Sequence, residues 1–425
     1  MKQLATALAF ALASTAAATA QPVAIVGGRV VTNGPDGVLD GATVVIDGER
    51  IAAVGADVEI PGDAMEIDAS GKWVTPGLFA AYAELGLVEI GGESSTDDRN
   101  ASDDALFSIA LHAEDGFNPA ATSVAVARGD GLTRAAIATG NGSGVLGGLG
   151  AIIETSGAAD SVTQPSAFVV GSLTPGQRAS AGGSRPAAFA SLRTALDDAA
   201  AWRDDPEEFS GDLLSAADAE ALAPVLSGDI PLVLSADRAS DLRALIEIAQ
   251  SREGLRLVIL GGAEAHLVAD ALADAGIGVI LDPSLNLPSS FDRIGATVLT
   301  ASALDAAGAD FAIVSLNEPY AIPALMTQNA GLAAAHGLDR EAAFDALTGA
   351  PARMFGLEAD LGSLEPGKLA DVLIWDGDPL EVMSGIEHVF IGGVEADTRS
   401  RQSDLRDRYL APRAAGDLPH AYRRP

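Results

Sequence analysis

Trp73-Val74-Thr75-Pro76-Gly77-Leu78-Phe79-Ala80-Ala81-Tyr82-Ala83-Glu84-Leu85-Gly86 is the stretch whose reading decides the fold. An apolar run follows a Pro-Gly turn, and it carries two polar side chains, Tyr82 and Glu84. Positions i and i+2 of a strand share one face. The phenol and the carboxylate are therefore expected side by side where a buried strand meets a site. Outward from this stretch, strand and helix patterns alternate over roughly 250 residues. Apolar strand candidates fall at 123–126, 135–138, 150–153, 231–235, 255–260, 278–281 and 311–314, with helical stretches at 188–202, 239–251, 264–275 and 301–307. Such alternation predicts an α/β chain built as a (β/α)8 barrel, with a doubly wound sheet as the alternative. Residues 97–104 and 174–186, polar or rich in Gly and Ser, read as long loops.

Both ends of the chain read as short strands. Val23-Ala-Ile-Val, Gly28-Arg-Val-Val-Thr, Ala42-Thr-Val-Val-Ile and Arg50-Ile-Ala-Ala-Val are separated by Asn33-Gly34, Asp36-Gly37 and Asp47-Gly48, which are hairpin turn pairs. Asp371-Val-Leu-Ile-Trp and His388-Val-Phe-Ile follow near the other end, with Gly392-Gly393 as a turn before Val394. The expected organisation is a signal peptide at 1–20 and a β-sandwich composed of 21–75 and 350–397. A barrel at 76–349 lies between its halves, and an Arg-rich tail at 398–425 follows.

The leader has Lys2, an apolar core from Leu4 to Ala13 and the small-x-small signal Ala18-Thr19-Ala20. It implies cleavage near Ala20 and a periplasmic or secreted protein; a buried N-terminal helix is the alternative. No later segment has the ~18 uninterrupted apolar residues of a membrane span. The chain has no cysteine, so disulfides and thiolate metal sites are excluded. A net charge of −33 offers no basic field for nucleic acid or an anionic lipid surface.

Pro76-Gly77-Leu78 before such a strand resembles the start of the barrel in the metal-dependent amidohydrolase superfamily. Leu361-Gly-Ser-Leu-Glu-Pro-Gly-Lys-Leu-Ala-Asp-Val-Leu-Ile-Trp-Asp is the most specific match. Leu257-Val-Ile-Leu-Gly-Gly-Ala-Glu-Ala-His and Leu281-Asp-Pro-Ser-Leu-Asn-Leu-Pro-Ser-Ser-Phe-Asp resemble its exported, imidazolonepropionase-like branch. The likeness runs from about Val23 to His388. It implies a barrel flanked by a small β-sandwich, and hydrolysis of amide-type C–N bonds in peptides or cyclic amides. It also implies zinc or another divalent metal that activates a hydroxide.

The chain departs from that pattern where the chemistry sits. The family's first strand ends in His-x-His; here those positions are Tyr82 and Glu84. Pro231-Leu-Val-Leu-Ser-Ala-Asp-Arg resembles the fifth strand, with Ser235 in place of a His. Phe311-Ala-Ile-Val-Ser-Leu-Asn-Glu-Pro resembles the eighth, with Asn317 in place of an Asp ligand and base. An amide is a poor ligand and accepts no proton at neutral pH. After the leader the only lysines are Lys72 and Lys368, so the family's bridging carboxylated Lys has no counterpart. For the sixth strand Gly261 is the best alignment, with Glu264 or His266 as alternatives.

Of the five histidines, His388 and His420 fall outside the barrel, His336 reads as a helix C-terminus and His112 as helix or loop. His266 alone lies near a barrel strand end. The loss of the whole ligand set implies that the usual centre cannot assemble, although Glu84, Asp237 and a His remain as donors for a weaker ion.

Other motifs are weaker. Gly142-x-Gly144-x-x-Gly147 is followed by strand-like Ala151-Ile-Ile-Glu, so no helix dipole faces a pyrophosphate, and it reads as a flexible loop. Asp97, Asp98, Asp103 and Asp104 lack calcium-loop spacing and read as a solvated acidic loop. Arg238, beside Asp237, suits either a clamp on a substrate carboxylate or an ion pair at a helix start.

The expected pocket is Tyr82, Glu84, Ser235, Asp237, Arg238 and Asn317, with Glu84 and Asp237 as catalytic candidates and no bound cofactor. Two functions follow. The first is a non-catalytic homologue that binds a small amide or peptide-like ligand, or pairs as a homo-oligomer or with an active amidohydrolase. The alternative is an active hydrolase with a rebuilt or metal-independent site, using Glu84, Asp237 or Tyr82.

Overall fold

The computed structural model describes residues 21–99, 101, 105–140, 144–317 and 325–410. The leader, His420, Asp103, Asp104, Gly142 and the end of the Arg-rich tail lie outside them.

Strands from both ends of the chain make one eight-stranded sheet. They are β1 (Val23–Val31), β2 (Val38–Asp47), β3 (Arg50–Gly55), β4 (Met65–Asp68) and β5 (Trp73–Pro76), then, past the barrel, Val372–Trp375, Ile386–Ile391 and Val394–Glu395. Their alternating apolar side chains bury a core that includes Ile25, Val44, Val74, Val372 and Phe390. The sequence-predicted turns fall where their glycines allow a left-handed backbone: Gly48 between β2 and β3, and Gly392-Gly393 between the last two strands.

The barrel strands are β6 (Leu78–Ala83), β7 (Leu132–Ile137), β8 (Leu146–Glu154), β9 (Val162–Ser172), β10 (Leu232–Ala236), β11 (Leu257–Gly261), β12 (Gly278–Leu281) and β13 (Phe311–Ile313), paired in that order. The last three strands of the first sheet are then β14 (Val372–Trp375), β15 (Ile386–Ile391) and β16 (Val394–Glu395). The barrel sheet does not zip shut. The seam between β6 and β13 is bridged by one segment, the Leu347 carbonyl accepting from Phe79 and the Ala346 carbonyl from Ile313, both at 2.9 Å.

Several expectations need correction. The chain does not alternate regularly, because β8 runs antiparallel to both β7 and β9 and, among the described residues, no crossover helix separates the three. Residues 123–126 are not a strand; they lie in the helix Thr122–Gly129, whose Val124 and Ala127 pack inward. Gly147 lies inside β8 rather than in a flexible loop. The 174–186 segment contains the short helix Pro175–Ser180, and 264–275 divides into a single turn and the helix Ala269–Asp274. The strand β9 and the helix Ala216–Ser227 are additions that the pattern did not reveal.

The lumen is packed, not open. Phe79, Ala81, Ala136, Phe168, Val233, Val258, Ile280 and Ala312 point inward, while their strand neighbours face the helices. Met354 and Phe355, from the helix Gly349–Phe355, plug the end where β6 begins. Phe355 lies 6.0 Å from the Phe79 ring and 5.1 Å from that of Phe168. Gly150 has no side chain because Phe168 fills that space.

Candidate functional site

The Pro76-Gly77 turn passes β6 from the terminal sheet into the barrel. The Gly77 N–H donates to the Asp371 carbonyl at 2.9 Å, and a Cβ at Gly77 would collide with Thr133. Register against β7 then slips between Ala80 and Ala83, so that Tyr82 as well as Ala81 lies against the lumen cluster. The Tyr82 hydroxyl donates to Glu84 Oε1 at 3.2 Å, which brings those two side chains together as their spacing requires.

The other carboxylate oxygen is held by a residue that the sequence did not single out. Arg99 Nη1 donates to Glu84 Oε2 at 2.6 Å. Its Nη2 and Nε grip both oxygens of Asp97 at 2.6 and 2.9 Å. The segment after β6 folds back as a small ribbon, Val88 opposite Asp97, and the Arg99 carbonyl accepts from Gly140. Asp97 is thus not a solvated loop charge. Hydrogen bonds that Arg99 donates to Asp97, with Glu84 nearby, outweigh burial and raise Arg99 further above its usual range, so it stays protonated. Burial, reinforced by the Glu84 charge, raises the Tyr82 phenol far above its usual range, so it stays neutral.

Around β10 and β11 the candidate residues find structural partners. Asp237 Oδ1 accepts from the Ala263 N–H at 3.1 Å, and its Oδ2 lies 3.8 Å from Arg293 Nε. Burial raises its carboxyl above the ordinary range, and Arg293 opposes that only in part. Arg238 is exposed at the start of the helix Ala239–Gln250 and, among the described residues, forms no ion pair with Asp237; Arg293 is the cation that stands near that carboxylate. Gly261 ends β11 with no side chain, and Glu264 clamps two backbone N–H groups, Ala239 at 2.9 Å and Gly295 at 3.0 Å. His266 faces Thr300 at 3.4 Å, and burial lowers its pKa. Ser235 is half-buried; its carbonyl accepts from Leu173 at 2.8 Å.

Asn317 is exposed beyond β13, and the buried carboxylate nearby is Asp282 at the end of β12. It accepts from Leu316 N at 2.8 Å, Asn329 Nδ2 at 2.9 Å and Ser284 N and Oγ at 2.9 and 2.6 Å. That role ties two strand ends together. Asp292 does similar work between loops, accepting from Arg178 at 2.7 Å and from Arg185, which also holds Asp241. Burial raises the Asp292 carboxyl, but the two guanidiniums outweigh it and hold the group below its usual range.

The structure therefore joins Tyr82 to Glu84, and leaves Asp237 to Ala263 and Arg293. Among the described residues no three His, Asp or Glu side chains meet as a metal site would require. The donor chemistry does not fit a divalent metal either. The phenol is neutral, Glu84 is saturated by a hydroxyl and a guanidinium, and Asn317 offers an amide. A cavity of about 520 Å³ lies apart, between Leu106, Phe107, Leu146, Leu213 and Asp218. Its carboxylate already accepts from Ser108, Ile109, Ala110 and Ser215.

Comparison with known proteins gives a consistent picture. An amidohydrolase family model matches residues 263–395. The imidazolonepropionase of Maricaulis maris is 27% identical over 389 residues, 82% of this chain and 91% of that protein. An amidohydrolase structure from Thermotoga maritima is 27% identical, with a TM-score of 0.78 over 88% of this chain and 99% of that one. A putative prolidase from Bifidobacterium longum shares the fold at 18% identity, with a TM-score of 0.54 over 91% of this chain and 98% of that one.

Proposed function

We propose, from the premise that this chain belongs to the amidohydrolase superfamily, that it has lost the metal centre and works as a non-catalytic ligand-binding or partner subunit. The observation that carries this reading is the ion pair at the end of β6, where Arg99 occupies the carboxylate of Glu84. A guanidinium supplies positive charge but has no open coordination position, so it cannot lower the pKa of a bound water as a metal does. Exposed apolar side chains at Leu287, Phe291, Ile294 and Leu299 support pairing over a ligand in the filled lumen. The leader supports export to the periplasm.

The test is elemental analysis of protein purified without added metal or chelator, together with a screen of dipeptides and cyclic amides. Sub-stoichiometric metal and no turnover are expected. Near-stoichiometric zinc with turnover would overturn the reading. One observation favours the alternative, metal-independent acid–base work: the raised carboxyl of Asp237. Turnover in metal-free protein that Asp237→Asn abolishes would establish that alternative instead.

A further inference from the structure

We propose that Arg99 is a built-in substitute for a metal ion, and that its guanidinium is what keeps divalent cations out of the barrel mouth. This rests on the reading that the native centre is lost, and it names the residue that maintains the loss.

Three features carry it. First, the position: Glu84 follows directly on β6, and Arg99 reaches it from a ribbon pinned to that strand end by Val88–Asp97 pairing. Second, the saturation: three N–H groups of one guanidinium meet three carboxylate oxygens, and the Tyr82 hydroxyl takes the fourth. Third, the shelter: the Glu84 side chain is 12% exposed and that of Arg99 25%, so water screens the pair only in part. A cation entering here would have to displace a positive charge that is always present, because arginine does not deprotonate in proteins.

Removing that charge leaves Glu84 and Asp97, which share the one guanidinium, with no other cation paired to either among the described residues. Two carboxylates are hard donors, the kind that take Mg²⁺, Mn²⁺ or Ca²⁺ rather than a thiolate-seeking metal. Like charges without a counter-ion favour the uptake of a proton or of a cation.

The experiment is Mn²⁺ titration by calorimetry of the native chain, Arg99→Gln, Arg99→Lys and the double variant Arg99→Gln/Glu84→Gln. Arg99→Gln is expected to bind one Mn²⁺ at least about tenfold more tightly than the native chain. Arg99→Lys and the double variant are expected to match the native chain. If Arg99→Gln folds poorly, Mn²⁺ should raise its melting temperature and leave the native value unchanged. An Arg99→Gln chain that gains neither affinity nor thermal protection would overturn the proposal. So would a double variant that binds as Arg99→Gln does. Stoichiometric metal in the native chain as purified is a different outcome: it sinks the reading of a lost centre beneath it.

Discussion

At the scale of single residues, the contrast between Glu84 and Asp237 is instructive. Both are carboxylates at barrel strand ends, but one is held by a hydroxyl and a guanidinium and the other by a single backbone N–H with a distant cation. Burial raises the Asp237 carboxyl above its ordinary 3.8, so the folded chain holds that proton more tightly than the unfolded chain. Its contribution to stability is fully present below the ordinary value and is lost as pH rises toward the folded value. Asp237→Asn removes this titration. In urea unfolding across the acid range, the stability of Asp237→Asn relative to the native chain should rise with pH through that window and then level off. A flat difference would show that Asp237 is not desolvated in solution. Sequence reading found the spacing of Tyr82 and Glu84 because a two-residue period is written into a strand. It missed Arg99 because nothing in Asp97-Asp98-Arg99 says which carboxylate, fifteen residues back, the arginine will meet.

At the scale of elements, apolar runs and turn residues made most strands and the longer helices legible. The direction of β8 was not, because alternation has the same period whichever way a strand runs. Ser123-Val-Ala-Val reads as β-branched, yet burial of Val124 and Ala127 against the barrel makes it helical, an example of packing overriding propensity. The plug helix Gly349–Phe355 gives the element-scale prediction. Phe355→Ala empties a space between Phe79 and Phe168, and should cost about 3–5 kcal/mol in denaturant unfolding. Phe355→Leu should cost clearly less. Equal losses would mean that the lumen collapses onto the gap whatever its size.

At the scale of the whole molecule, the barrel and the terminal sheet are joined by a buried charge. Arg134 of β7 donates through Nε and Nη2 to Asp371 at 2.7 and 3.1 Å, and Glu154 of β8 stands 3.2 Å away. Burial pulls the guanidinium down, and the two carboxylates more than restore it. Asp371 also accepts from Gly392 N at 2.8 Å, so one carboxylate fixes strands of both sheets. Taking away one partner of such a pair costs about 3–5 kcal/mol because the other is left buried and charged. Asp371→Leu should show that loss in thermal and urea unfolding, and Arg134→Met/Asp371→Leu should recover much of it. If the double variant is no better than the single one, the hydrogen bond to Gly392 rather than the ion pair is what matters.

The reversal of β8 has a further consequence, for how the chain finds its shape. Elsewhere in the barrel, neighbouring strands meet only after a long excursion, such as the 59 residues at 173–231 between β9 and β10. From β7 through β9 the wall is a meander joined by short connections, 138–145 and 155–161. Closing a short loop forfeits less chain entropy than closing a long one, and contacts near in sequence form faster. That three-stranded patch is the natural place for assembly to begin, with the remaining strands adding to its edges.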